Sequence, residues 1–370
     1  MTIVNLPTYV ERGGRTVWQQ PYRSNETQLL GLVLKADTKA IDAVLQRDLV
    51  APSDGALDYR CVHPNVLVTF SRVEEMRSVD PPDSLCGSIA EREVAIWCLV
   101  SDMTAGGRLV WHIPYIWTDS GQTVDSGREV YGYPKQLGYF DDAFDAALTG
   151  PAVTELHALA IEQYAPAART TALKMISLER TGGPPPPGLF EPPADWLIKD
   201  LPGSPFPGDL QVNLFPDLDP PEPDVVITVD PDETPPPGPP KPPWAKTPIT
   251  GTSVAMPPPL PRLDLLGALI ENPTLVFLKQ FRDVQCPTKA CYQAIVEAPL
   301  SVAVGGTSEP SFSPLDPAQF ALAIADWASA PVVSELGLGP ADQLQQIEAA
   351  FQARFSFDVL PGLEVWRGTP

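Results

Sequence analysis

Runs of apolar residues and their spacing divide this chain into recognisable elements. Leu29–Leu34 (LLGLVL) is a continuous apolar run of strand length and reads as a buried strand. Behind it, Ile41, Leu45 and Leu49 recur at helical spacing. They predict a helix over Thr38–Leu49, capped by Asp37 or Thr38. Strand patterns then dominate, at Asn65–Phe70, Val94–Val100, Leu109–Trp117, Thr154–Tyr164 and Thr170–Leu178. The Ala165-Pro166-Ala167 break makes the last two a strand–turn–strand unit. Thr274–Leu278 and Cys291–Val296 form another strand pair around a Cys-Pro-Thr-Lys turn. Two further helices are expected at Pro317–Ala328 and Ala341–Arg354, the second on a stripe of Leu344, Ile347 and Phe351. Many strands and few helices predict a β-rich α+β fold with a curled or closed sheet.

The pattern fails in one long stretch. Of the 46 prolines, 26 lie between Pro184 and Pro261, and the stretch also carries Asp217, Asp219, Glu222, Asp224 and Asp230. Proline removes a backbone donor and blocks helix propagation, so no ordinary packed helix is expected there. The segment reads as an extended or partly disordered acidic spacer, with Val225–Thr228 as one short strand at most. Recognition by a proline-binding module is the sharper alternative. Residues 1–183 and 263–370 are then two parts of one globular domain, separated by a 184–262 insertion.

Charge narrows the partners. With 25 basic and 46 acidic residues, the net charge is −21 at pH 7. Such a chain lacks the cationic surface that displaces counterions from nucleic acid, and it avoids anionic membranes. Its first residues do not read as a signal peptide, and its apolar runs are too short to span a bilayer. Five cysteines at irregular spacing fit reduced thiols, so a cytoplasmic location is expected.

Most familiar chemistries lack their residues. The three histidines, His63, His112 and His157, are far apart, and His112 lies in the strand pattern LVWHIPYIW as a structural residue. The sequence holds no HExxH, no zinc-finger cysteine spacing, no Gly-rich phosphate cradle and no GxSxG elbow. The Cys286-x4-Cys291 pair reads as bracketing a hairpin. No metal or cofactor is expected.

What remains is Gly127–Gly138, GREVYGYPKQLG. Gly132 and Pro134 bracket a turn, and Tyr131 and Tyr133 supply apolar walls beside Lys135. A lysine enclosed by such walls is desolvated, which favours the neutral amine that attacks carbonyl carbon to form a Schiff base. An exposed turn lysine is the plainer reading of the same residues.

The segment closely resembles the active-site signature of the acetoacetate decarboxylase family, in which the lysine after the proline is the nucleophile. LVLKADTKAIDAVLQRDLVAP, SIAEREVAIWCLV and NPTLVFLKQFRDVQCPTKACYQAIVEA resemble other segments of that family. The resemblance implies a closed or cone-shaped β-barrel with flanking helices, a cofactor-free Schiff-base mechanism at Lys135, and a homo-oligomer. It gives Glu91 as an active-site carboxylate, with Arg128, Glu129, Tyr131, Tyr133 and Gln136 lining the site or supporting the lysine loop. Three positions depart from the family pattern. Gln136 replaces a second lysine, Ser71 falls where a second glutamate is expected, and Thr27 falls at the arginine position, with Arg23 nearby. The implied activity is a carbon–carbon lyase, a decarboxylase acting on a small keto or oxo acid. Aldol or retro-aldol chemistry with dehydration on the same imine is the alternative. A non-catalytic binding or scaffold protein is the third reading.

Overall fold

The computed structural model describes residues 8–10, 17–182, 274–302 and 311–368. The proline-rich segment at 184–262, with its Val225–Thr228 strand expectation, lies outside the described residues. Among the described residues, thirteen strands hydrogen-bond into one sheet. They are β1 (Tyr22–Lys35), β2 (Tyr59–Ser78), β3 (Ile89–Asp102), β4 (Arg108–Thr118), β5 (Lys135–Phe140), β6 (Ala152–Ala160) and β7 (Thr171–Arg180), then β8 (Thr274–Arg282), β9 (Ala290–Val302), β10 (Ser311–Leu315), β11 (Phe320–Ile324), β12 (Ile347–Val359) and β13 (Leu363–Arg367). Short helices α1 (Thr38–Leu45), α2 (Gly121–Ser126), α3 (Phe144–Thr149) and α4 (Val332–Leu336) decorate it.

Seven strands close on themselves in the order β4-β3-β2-β1-β12-β9-β8, and β8 returns to β4 through the parallel pair Trp111↔Leu275. From β4 the sheet continues outward through β5, β6, β7 and β11. Strands from both sides of the proline-rich segment thus share one sheet. The molecule is a mostly-sheet α+β fold around a ring of seven strands.

The ring separates two cores. Alternate residues from all seven strands, among them Leu29, Leu67, Ala95, Trp111, Phe277 and Phe351, meet in one cluster, which is the inside of the ring. Residues of the other parity, such as Leu30, Leu32 and Leu34, pack outside against Ile41 and Leu45 of α1 and Leu336 of α4. Both faces of β1 are therefore buried, which explains why LLGLVL is continuously apolar rather than alternating. Gly31 belongs to the inner face, where the Phe351 ring lies over it. A Cβ there would sit 2.3 Å from Phe351 Cζ. Asp37 caps α1 by accepting from the Lys39 amide at 2.8 Å, as expected, and the helix continues into a π-turn over Gln46–Val50.

Two expected helices are strands. Pro317–Ala328 folds as a 3-10 turn over Pro317–Gln319 and then β11, paired with β7. Ala341–Arg354 is mostly β12, which pairs with β1 along eleven positions. Leu344 is exposed, so the proposed helical stripe does not face a core. The controlling pattern has period two. Phe320, Leu322 and Ile324 are buried in alternation, and Ala349, Phe351, Ala353 and Val359 face the ring interior. Ring closure supplies backbone partners to β12 that an isolated AAFQAR helix would not need.

Candidate functional site

The GREVYGYPK segment forms a compact turn. The residues Gly127–Tyr131 make a π-turn, Gly132 adopts φ +84°, and the chain enters β5 at Lys135. Each of the two glycines has a steric reason. A Cβ at Gly127 would meet Lys135 Cδ at 3.0 Å, and one at Gly132 would lie 2.6 Å from Lys279 Cα. The first glycine lets the turn lie along the lysine stem, and the second lets it dock on β8.

β5 runs parallel to β4, with Ile116 opposite Lys135, and β4 pairs with β3. This register carries the Lys135 side chain to β3 and buries it, at 5% exposure. Its Nζ lies 3.1 Å from Glu91 Oε2, 3.5 Å from Glu91 Oε1 and 2.8 Å from Glu93 Oε2. Glu91 and Glu93 are two apart on one strand and so share a face. That face is the ring interior, since Ala95 and Leu99 continue the same alternation into the inner cluster. Glu91 is anchored by Thr118 Oγ1, which donates to Oε2 at 2.9 Å, and Thr123 Oγ1 stands 3.0 Å from Thr118 Oγ1.

The electrostatics reverse the simple burial expectation. Burial alone pulls the Lys135 pKa down, but the adjacent charges of Glu91 and Glu93 outweigh it, and the pKa lies above the ordinary lysine value. Burial pushes Glu93 up from the ordinary carboxylate range, against the pull of Lys135. The resting site is an ammonium clasped by two carboxylates.

Aromatic rings complete the walls. Tyr131 and Tyr133 stack at 5.2 Å, Tyr133 packs on Phe277 at 4.2 Å, and Tyr22 meets Tyr131 edge-on at 6.1 Å. Tyr131 donates to the Leu360 carbonyl at 3.0 Å, whereas the buried Tyr133 hydroxyl has no partner. Burial raises the Tyr133 pKa well above the ordinary phenol value, so that hydroxyl keeps its proton.

The other expected residues are arranged unevenly. Arg128 is exposed and Glu129 half-buried on the π-turn, while the carboxylates that meet Lys135 come from β3. Gln136 is exposed. As the next residue of β5, it points to the opposite face from Lys135. Ser71 is buried opposite Glu93, and Thr27 is buried on the inner face of β1. Arg23 forms a two-pronged pair with Asp358, both bonds 2.8 Å, and lines a surface cleft with Arg77, Ser78, Val79 and Ser84. Lys135 does not line that cleft. Sequence reasoning did not single out Glu93, Thr118 or Thr123. For Glu93 the signal was present, because a carboxylate two positions from Glu91 on a strand must share its face.

Away from this site, His112 is buried, with Nδ1 3.0 Å from the Val276 carbonyl and Nε2 3.5 Å from Asp48. Cys286 and Cys291 are exposed free thiols at the β8–β9 hairpin. Among the described residues no cluster of histidine, cysteine and carboxylate side chains has metal-binding geometry, and no helix is long and apolar enough to cross a membrane.

No family model matches this sequence, and no curated protein matches it significantly. Solved structures do match in fold. An acetoacetate decarboxylase from Legionella pneumophila subsp. pneumophila superposes with a TM-score of 0.51 at 11% identity, over 99% of this chain and 94% of that one. An acetoacetate decarboxylase-like enzyme from Sphingomonas wittichii has a TM-score of 0.48 at 11% identity, over 97% and 98% of the two chains. This chain has the acetoacetate decarboxylase fold.

Proposed function

We propose that this protein is a Schiff-base-forming carbon–carbon lyase, with Lys135 as the amine nucleophile and the seven-stranded ring as its barrel. The observation that carries this reading is a buried lysine clasped by two buried carboxylates, at the segment that resembles the family's nucleophile signature. An amine must be neutral to attack. The nearest proton acceptor is Glu93, 2.8 Å away, whose own pKa burial has raised. Proton transfer from Lys135 to Glu93 gives a neutral amine and a carboxylic acid. Nζ then bonds to the carbonyl carbon, the C=O π pair moves to oxygen, and a proton passes from nitrogen to that oxygen. Glu93 returns its proton as the hydroxyl leaves as water. The product is a protonated imine, which carries the same +1 charge as the starting ammonium. The carboxylates that stabilise the resting ammonium therefore also stabilise the iminium. That cation accepts the electron pair released when the adjacent C–C bond breaks.

Thr118 and Thr123 are positioning residues in this scheme, because they fix Glu91 against rotation. Decarboxylation of a small keto or oxo acid is the reaction that the family resemblance suggests. Aldol or retro-aldol cleavage with dehydration is favoured by one observation. Thr27 stands where the resemblance places the family's arginine, and Arg23, four positions before it, is paired with Asp358.

The test is borohydride reduction in the presence of β-keto acids, pyruvate, ketones and aldehydes, with the adduct located by peptide mass. A reduced adduct on Lys135 is expected. Absence of one with every carbonyl compound would refute the enzyme reading and leave the scaffold reading. Carbon dioxide release separates decarboxylation from aldol chemistry. The expectation of a homo-oligomer belongs to the same reading and is checked by light scattering.

A further inference from the structure

Two buried hydroxyls of β1 are unused. Ser24 is 0% and Thr27 2% exposed, and neither side-chain oxygen has a hydrogen-bond partner. Buried hydroxyls are normally satisfied, so an unpaired set calls for a cause. Both belong to the inner face of the ring. Ser24 alternates with Tyr22, and Thr27 with Leu29, and both of those side chains lie in the inner cluster. An irregularity between Ser24 and Thr27, with Glu26 at φ +51°, shifts the alternation and turns both hydroxyls inward. The register then sets their distance from the lysine. Gln28 pairs with Arg72 and Arg72 with Arg92, so Thr27 lies beside Val73, the partner of Glu91. Thr27 and Glu91 are two strands apart, about 10 Å between strand axes. A short molecule lying over Val73 would span that gap.

The charges decide what kind of molecule. At the lysine, one ammonium faces two carboxylates, and burial leaves this excess negative charge weakly screened. Arg23, paired with Asp358, and Arg92, paired with Asp145 at 3.0 Å, lie on the opposite face of their strands and do not turn toward the lysine. A carboxylate next to the reacting carbon would meet like charge at Glu91 and Glu93 and neutral hydroxyls at Thr27 and Ser24. A hydroxyl or carbonyl oxygen would meet partners suited to it, because Ser and Thr both donate and accept.

We propose that Lys135 reacts with an electrically neutral carbonyl compound bearing a second oxygen, a hydroxyl or a carbonyl, which Thr27 and Ser24 bind across the ring. The proposal rests on the Schiff-base reading above and assigns it hydroxycarbonyl and dicarbonyl compounds in place of a keto or oxo acid. Imine formation balances as already written, and no further reactant is needed. The unpartnered Tyr133 hydroxyl, which stacks beside the same walls, is a third donor for this ligand.

Acetone, hydroxyacetone and pyruvate form a matched series that differs only at the second carbon substituent. Their borohydride-trapping rates at Lys135, each divided by the rate with free Nα-acetyl-lysine amide, test the inference. Hydroxyacetone is expected to exceed both others by about three- to tenfold, the range of one or two neutral hydrogen bonds. In the Thr27→Val, Ser24→Ala double variant, the ratio of the hydroxyacetone rate to the acetone rate should fall to about one. A normalised pyruvate rate equal to or above that of hydroxyacetone overturns the proposal. So does a hydroxyacetone-to-acetone ratio that the double variant leaves unchanged. If no adduct forms, the Schiff-base reading fails, and binding of unreactive 1,2-propanediol and lactate by calorimetry judges the hydroxyl pair alone. Diol binding that the double variant weakens retains the pair as a binding site for neutral oxygen. Equal or tighter lactate binding, or no diol binding, removes it.

Discussion

Replacing Glu93 by glutamine should make Lys135 a more available nucleophile. Glu93 Oε2 lies 2.8 Å from Nζ, closer than either Glu91 oxygen. At an effective dielectric of about 20, the attraction is 332/(20 × 2.8), or ~6 kcal/mol. Part of this is returned, because burying the Glu93 charge is itself costly and Glu91 remains beside the ammonium. A net loss of about 3 kcal/mol from the ammonium agrees with the scale for breaking a buried pair. At a fixed pH below the lysine pKa, the neutral fraction then rises about a hundredfold. The assay is the pH dependence of reductive methylation at Lys135, read from the mass of its peptide. In Glu93→Gln the rising limb should move to lower pH, while turnover by the proposed mechanism falls because the carboxyl that returns the proton to the leaving hydroxyl is gone. A rising limb that stays put or moves to higher pH would refute the electrostatic account of the clasp.

Other expectations follow from the same geometry. Gln136→Lys should leave the Lys135 methylation profile almost unchanged, since residue 136 is exposed on the opposite face of β5 and its charge is screened. A shift as large as that of Glu93→Gln would contradict this. Gly132→Ala forces a Cβ to 2.6 Å from the Lys279 backbone at φ +84°, and should cost about 3 kcal/mol in urea unfolding. An unchanged midpoint would show that the turn does not dock as described. Stability should also carry an alkaline signature. The folded Lys135 pKa exceeds its unfolded value, so the folded chain holds that proton more tightly. The associated stability is complete below about pH 10.4 and is lost as pH rises through the folded pKa. A Glu91→Gln, Glu93→Gln double variant should lack this component in urea titrations above pH 10.

Strand runs buried on both sides were legible from the chain, because continuous apolar stretches such as Leu29–Leu34 have few other uses. So were the α1 cap at Asp37, the β6–β7 and β8–β9 hairpins, and the glycine-framed turn that presents Lys135. β11 and β12 were misread because small alanines and a chance spacing of Leu344, Ile347 and Phe351 mimic a helix. The alternation Ile347, Ala349, Phe351, Ala353, Phe355, Phe357 and Val359 carried the competing signal. Local preference favoured the helix, and pairing with β1 overrode it.

The site divides in the same way. The turn around Lys135 offered an enclosed amine beside the plainer reading of an exposed turn lysine, and the resemblance to the acetoacetate decarboxylase family favoured the amine and pointed to Glu91. Their contact is not local. Glu91 and Lys135 are 44 positions apart and meet only because β5 lies along β4 and β4 along β3. That register also brings in Glu93, and the second carboxylate reverses the sign of the lysine's pKa shift. Sequence alone could assign Lys135 a cost of burial. Only the folded ring decides which charges share that burial, because Coulomb energy depends on distances that hydrogen-bonded strands, not chain neighbours, set.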